Sequence, residues 1–254
     1  MDNLKGGEFM TKDTNTVEFE VWGNFGLFTD PLTRGGERMS YQLPTYQALV
    51  GITSSIYWKP TLIWRIDDLR VMNTIKVESK AIRPLDKNFA LDKNTLAYYT
   101  YLVQPRYQVR AHFVWNMQRP DLEQDRNAKK HMAIFQRALK AGGREDVFLG
   151  TRECQGYVKP ISFGTGEGAY DNQGKQLFGT MVHGYNYPDE TGDPTFAVRL
   201  WTPTMQDGIV HFLAPDQCKI VQPIRKIKNY HWQHPNTMQS VDILYDAMFG
   251  GESK

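Results

Sequence analysis

Lys129-Lys130-His131 stand near the start of a stretch, about Asn127 to Ala141, in which Met132, Phe135 and Leu139 recur at helical spacing. Cations in a first helical turn oppose the macrodipole, at a cost of roughly 0.3–1 kcal/mol per group, so something else must favour them. A bound phosphate would, because it takes hydrogen bonds from free helix N–H groups as well as from Lys and His. His131 can act as acid or base near neutrality, and Lys130 is a persistent cation. Tyr46, on an earlier helical stretch, is a third candidate, although a phenol titrating near ~10 suits positioning a hydroxyl better than deprotonating it. These groups suffice to cut RNA without a metal. A base takes the 2′-hydroxyl proton, the 2′ oxygen attacks the adjacent phosphorus, an acid protonates the leaving 5′ oxygen, and a cation stabilises the pentacoordinate transition state. The plainer alternatives stand beside this one: lysines that point into water, and a core or interface tyrosine.

Other chemistries find little support. Gly164-x-Gly166-x-Gly168 lacks the spacing and strand-to-helix setting of a dinucleotide loop and reads as a turn. Asp121, Glu123 and Asp125 read as a lead-in and cap for the helix rather than a metal site, and His231-x-x-His234 lacks further ligands. No metal or cofactor is expected. Two cysteines among 254 residues exclude a disulfide scaffold, and no apolar run spans a bilayer; a soluble cytoplasmic protein is the expectation.

The formal charge is only +2, from 30 Lys and Arg against 28 Asp and Glu, yet the cations cluster. Residues 93–120 carry Lys93, Arg106, Arg110 and Arg119 with no acid, 125–144 carry six cations against Asp125, and 217–240 carry Lys219, Arg225, Lys226 and Lys228 with no acid, beside Tyr230, His231, Trp232 and His234. Three basic blocks with interleaved aromatics point to a polyanion path, and unpaired nucleic acid is the partner that aromatic rings can stack on.

The elements that position these residues are legible in outline. Residues 1–16 read as a polar leader. Val17, Phe19 and Val21 form one face of a first strand, and Pro44 opens a helix carrying Ala48, Leu49, Ile52 and Ile56 that Pro60 ends. Thr61 to Arg83 reads as strand, turn, strand, and 84–105 as a looser insertion. Arg106 to Trp115 alternates a core face with a cationic one, and Val147 to Val158 supplies another strand after the second helix. Strand, helix, strand, strand, helix, strand is the order of a ferredoxin-like βαββαβ unit, shared with RNA-recognition motifs, in an α+β protein. That unit is expected over 17–165, with a C-terminal antiparallel β-rich domain over 166–254.

Long stretches carry a family resemblance: residues 22–52 (WGNFGLFTDPLTRGGERMSYQLPTYQALVGI), SIYWKPT (55–61), DDLRVMN (67–73), RPDLEQDRNAKKH (119–131), LKAGGREDVFLGTRECQGYV (139–158) and MVHGYNYPDETG (181–192). The chain resembles the CRISPR-associated Cas-five proteins of subtype d, type I-C, within the repeat-associated mysterious protein superfamily. The resemblance implies a ferredoxin-like domain with a C-terminal sheet. It also implies a metal-independent endoribonuclease that cuts precursor CRISPR RNA at the repeat hairpin and stays on the crRNA 5′ handle as a Cascade subunit. Partners would be the repeat RNA, the other Cascade subunits and, through the complex, target DNA. The family's tyrosine is placed on Tyr46 within PTYQAL and its lysine-histidine pair on Lys130-His131. Expected RNA contacts are Arg34, Arg38, Arg119, Arg126, Lys129, the turn Gly142-Gly143-Arg144, and Arg152. No aromatic RNP signature is present, so recognition by hairpin shape and backbone is expected over base stacking on the sheet. The rival expectation is a non-cleaving subunit that caps the 5′ handle.

Overall fold

The computed structural model describes residues 15–84 and 96–227. In chain order the elements are β1 (Thr16–Gly23), β2 (Phe25–Gly26), α1 (Tyr46–Ile56), β3 (Leu62–Val71), β4 (Val77–Ile82), β5 (Ala97–Val103), β6 (Arg106–Trp115), α2 (Ala128–Lys140), β7 (Val147–Phe148) and β8 (Gln155–Pro160). They continue as β9 (Lys175–Leu177), β10 (Met181–Asn186), α3 (Pro188–Thr191), β11 (Thr195–Trp201), β12 (Thr204–Gln206), β13 (Ile209–His211) and β14 (Ile220–Lys226). The protein is mixed α and β, dominated by antiparallel sheets.

An eight-stranded sheet in the order β7-β8-β1-β6-β3-β13-β12-β9 forms the body. Val17, Phe19 and Val21 of β1 and Tyr107, Val109, Ala111 and Phe113 of β6 are buried on one face, where Leu49, Ile52 and Ile56 of α1 and Phe135 and Leu139 of α2 join them. In β3 the apolar period runs Leu62, Trp64, Ile66 and then slips to Leu69, Val71. A register shift between Ile66 and Asp68 absorbs the slip: Asp67 is a bulge residue, and the extra position keeps Leu69 and Val71 on the core face with Leu62, Trp64 and Ile66.

The other face of the sheet is balanced rather than cationic. Arg106 pairs with Glu20 at 2.9 Å, Arg110 with Glu18 at 2.9 Å and Asp68 at 3.0 Å, and His112 with Asp67 at 2.8 Å. The alternation that buries Val17 and Phe19 sends Glu18 and Glu20 to the opposite face, Glu18 directly across from Arg110 and Glu20 across from Gln108, diagonal to Arg106.

Several boundaries differ from expectation. Thr45 caps α1, its hydroxyl accepting from the Ala48 N–H at 3.0 Å, so Pro44 precedes the helix; α1 ends at Ile56, ahead of the Lys59-Pro60 pair that disfavours helical backbone. Asn127, not an acidic residue, caps α2. The stretch 84–105 is not simply loose, because β5 pairs with β4 and β2 in a three-stranded sheet; residues 85–95 lie outside the described residues. Val147 to Val158 is two strands, β7 and β8, joined by a turn. Of the expected leader, 1–14 lie outside the described residues, while Asn15 is buried and Thr16 opens β1. Beyond residue 166, β10, β11 and β14 make a separate sheet, but β13, β12 and β9 extend the main one through the β3–β13 pairing. Lys228, Tyr230, His231, Trp232 and His234, and Lys93 of the first basic block, fall outside the described residues.

Candidate active site

The first turn of α2 is built around His131, which shares the helix's buried stripe with Phe135, Ala138 and Leu139. At that spacing the histidine faces the core, and Met132 is only partly covered. His131 is 1% exposed and sits among the rings of Tyr57, Phe113 and Trp115. Its Nε2 lies 2.8 Å from the Asp125 carbonyl oxygen and its Nδ1 2.8 Å from the Tyr57 hydroxyl. A carbonyl only accepts, so Nε2 carries the proton, and Nδ1 offers a lone pair to which Tyr57 donates. Burial pushes the imidazole below its usual pKa, against the opposing pull of Asp125, which keeps it neutral and basic at Nδ1. The Tyr57 phenol is itself raised by burial and by the Asp125 charge, with Arg144 opposing.

Asp125 organises the group. Its carboxylate pairs with the Lys130 ammonium and accepts from the Thr61 hydroxyl at 2.6 Å. Those two donors hold the carboxyl below the ordinary carboxylate range. On the far side, the turn after α2 closes against α1: the Arg144 N–H donates to the Ser55 and Ile56 carbonyls, and the Glu145 N–H to Ser55, which completes the C-terminus of α1. Gly142 and Gly143 adopt φ of 92° and 113°, the left-handed backbone this reversal requires. The Arg144 guanidinium is thereby carried to 5.8 Å from the centre of the Tyr57 ring.

Lys130 and His131 are therefore brought together, but Tyr46 is not brought to them. Tyr46 is the first residue of α1 and Tyr57 follows its last, an axial separation of about 16 Å at 1.5 Å per residue. Tyr46 stacks on His183 at 4.3 Å, at the other end of the helix. The place expected for it is taken by Tyr57, which the sequence reading passed over. The signal was present in SIYWKPT, but a tyrosine at a helix end just before a proline reads as a core anchor.

The expected RNA contacts divide. Arg119 chelates Asp121 at 2.9 and 2.8 Å, and Arg126 donates to the Asn116 and Arg119 carbonyls. Arg38 lies 5.3 Å from the centre of the Tyr99 ring, while Arg34 and Arg152 are exposed away from this site's contacts. Lys129, Arg137, Lys140 and Arg144 are exposed along α2 and its following turn, and among the described residues no carboxylate lies within ion-pair distance of them. No cluster of three His, Cys, Asp or Glu side chains placed to hold a metal occurs among the described residues, and no helix among them is long and apolar enough to cross a membrane.

A mixed α/β protein with a buried Tyr-His pair and a cationic first turn finds its relatives in one class. A solved structure titled as a CRISPR-associated protein is 36% identical and covers 82% of this chain and 96% of its own, with a TM-score of 0.69. A functionally uncharacterized protein from Streptococcus mutans is 37% identical at a TM-score of 0.68, with the same coverage of both chains. A curated relative from Mannheimia succiniciproducens, named CRISPR pre-crRNA endoribonuclease Cas5d, is 30% identical over 160 residues, 55% of this chain and 69% of that protein. A second of that name, from Thermus thermophilus, is 26% identical over 70% of this chain and 76% of its own. The family model for Cas5d, described as a CRISPR-associated protein, matches residues 16–213. The chain belongs to the Cas5d family.

Proposed function

We propose that this chain is a pre-crRNA endoribonuclease that cuts CRISPR repeat RNA without a metal and remains on the crRNA 5′ handle. There it joins the other Cascade subunits and, through them, target DNA. The observation that carries the reading is the 2.8 Å contact between the Tyr57 hydroxyl and His131 Nδ1, with Lys130 on the adjacent position of the same helical turn. The strand order β8-β1-β6-β3, with α1 between β1 and β3 and α2 between β6 and β8, supports a ferredoxin-like unit over 17–165 carrying this site.

The chemistry follows from the tautomer. Tyr57 passes its proton to His131 Nδ1 as its oxygen takes the proton of the RNA 2′-hydroxyl. The 2′ oxygen bonds to phosphorus, the P–O5′ bond breaks, and the proton removed from the 2′ oxygen returns through the same pair to the 5′ oxygen. Products are a 2′,3′-cyclic phosphate and a 5′-hydroxyl. Lys130 opposes the charge developing on the phosphoryl oxygens. Tyr57 and His131 are 0% and 1% exposed, so RNA meets Lys130 first, and the phosphate replaces Asp125 as its partner to open the pair. Lys129, Arg137, Lys140 and Arg144 extend the anion track.

The same burial is what favours the second reading, a subunit that grips the 5′ handle without cutting. Incubation with the cognate repeat RNA in EDTA, beside a His131→Ala control, separates them. A single cut at the hairpin base with cyclic-phosphate ends, lost in the control while binding persists, is expected. Tight binding with no wild-type cut selects the structural subunit, and a Mg²⁺ requirement with 5′-phosphate ends overturns the chemistry.

A further inference from the structure

At the opposite end of α1 from the Tyr57-His131 pair lies a cavity of about 840 Å³, between the β3–β6 edge and the chain from Asn186 to Val221. Its lining is polar in an unbalanced way. Arg199 is 3% exposed, and its guanidinium donates only to neutral acceptors: the Tyr185 carbonyl, the Asn186 side chain and, at 3.4 Å, His183 Nδ1. Burial drives His183 down to about 4, and its Nε2 donates to the Leu213 carbonyl at 3.0 Å, so this imidazole is neutral and gives Arg199 no ion-pair partner. Arg65, half-buried on the same wall, has no carboxylate within ion-pair distance among the described residues. The nearby acids are committed elsewhere or stand off: Asp67 is held by His112 at 2.8 Å, and Glu190, whose carboxyl burial pushes above its usual range, makes no ion pair with either guanidinium. Asp216 lines the mouth without pairing to either guanidinium. Between them the Tyr46 hydroxyl is buried with no hydrogen-bond partner. A buried guanidinium with no ion-paired carboxylate and a buried phenol without an acceptor are each costly, and one ligand relieves both.

We infer that this cavity is a second, non-cleaving phosphate site, which takes a phosphodiester of the single-stranded RNA flanking the repeat hairpin on Arg65, Arg199 and the Tyr46 hydroxyl. The inference rests on the RNA reading above. It gives the RNA a second fixed point at the far end of α1, so a strand leaving the scissile position is held at a set distance from it.

The test compares wild type, Arg65→Gln and Tyr46→Phe on the cognate repeat RNA, with and without its single-stranded flanks, and thermal denaturation confirms folding. Arg65→Gln is expected to weaken binding of the flanked RNA about tenfold and to lower the slope of log affinity against log salt by about one, while cleavage at saturating RNA is unchanged. Tyr46→Phe, which keeps the stack on His183, is expected to weaken the same RNA several-fold. Neither variant should alter binding of the bare hairpin. Equal affinities of folded variants and wild type for the flanked RNA overturn the site. So does a result in which inorganic phosphate stabilises wild type but not Arg65→Gln while RNA affinities stay equal, since the ligand is then a free anion. If wild type binds no repeat RNA at all, the functional reading fails first, which keeps the two failures distinguishable.

Discussion

At the scale of single residues, the site depends on which atom of His131 holds its proton. The Asp125 carbonyl fixes the proton on Nε2 and leaves Nδ1 to accept from Tyr57, so in the proposed mechanism Tyr57, and not Tyr46, is the hydroxyl that His131 activates. Tyr57→Phe should therefore lower the single-turnover cleavage rate by about 100-fold or more with little change in RNA affinity, whereas Tyr46→Phe should leave that rate intact. In the same mechanism Asp125 is a positioning residue whose charge competes with RNA for Lys130. Asp125→Asn should bind RNA several-fold more tightly. Because the Asp125 carboxylate raises the His131 pKa, its loss should also move the acid limb of the pH–rate profile to lower pH. A limb that stays in place would show that His131 is not the titrating base.

At the scale of elements, two helix ends meet at the site, and each is finished by a specific device. Asn127 caps α2, its side chain accepting from the Lys130 N–H at 3.0 Å, which fixes the turn that carries both Lys130 and His131. The Gly142-Gly143 reversal then brings Arg144 and Glu145 back as donors to the end of α1. A Cβ on Gly143 would stand 2.9 Å from the Glu145 carbonyl oxygen, at a φ that L residues rarely adopt. Gly143→Ala should cost about 1–3 kcal/mol in urea denaturation. It should also reduce cleavage beyond what the stability loss explains, because Arg144 is drawn off the Tyr57 ring. The glycine pair was legible in the sequence as a helix stop, but its role in completing α1 was not, since that bond joins residues some ninety positions apart.

At the scale of the whole molecule, two histidines among the described residues are buried and neutral, His131 under α2 and His183 between Tyr46 and Trp201. Both have pKa values lower in the folded than in the unfolded chain, so the unfolded state binds more protons below about 6.5. Stability should therefore be full above that pH and fall as pH drops from about 6.5 toward about 4, where His183 titrates. Depressed carboxylates such as Glu20, Asp125 and Asp171 begin to lose their contribution as pH falls through their unfolded values of about 4, at the acid end of this window. Urea melts across this window should show the loss, and His183→Gln should flatten it; an unchanged slope would assign the acid sensitivity elsewhere.

Periodicity and turn chemistry alone determined β1, α1, β3, β4, β6 and α2 in order, the glycine stop after α2, and the grouping of Lys130 with His131, because these are properties of neighbouring positions. The β1 alternation even held the information that its acids would meet the β6 cations, although the cation clusters read alone suggested a bare basic face. Three things were decided only by tertiary structure. The bulge at Asp67 set the face of half of β3, β13 joined the chain beyond 166 to the main sheet, and α1 carried Tyr46 away from His131 while its far end delivered Tyr57. Each is a long-range pairing whose partners are separated by dozens of residues. Local propensity is blind to such pairings, and the packing of one helix against another selects among tyrosines that the sequence leaves equivalent.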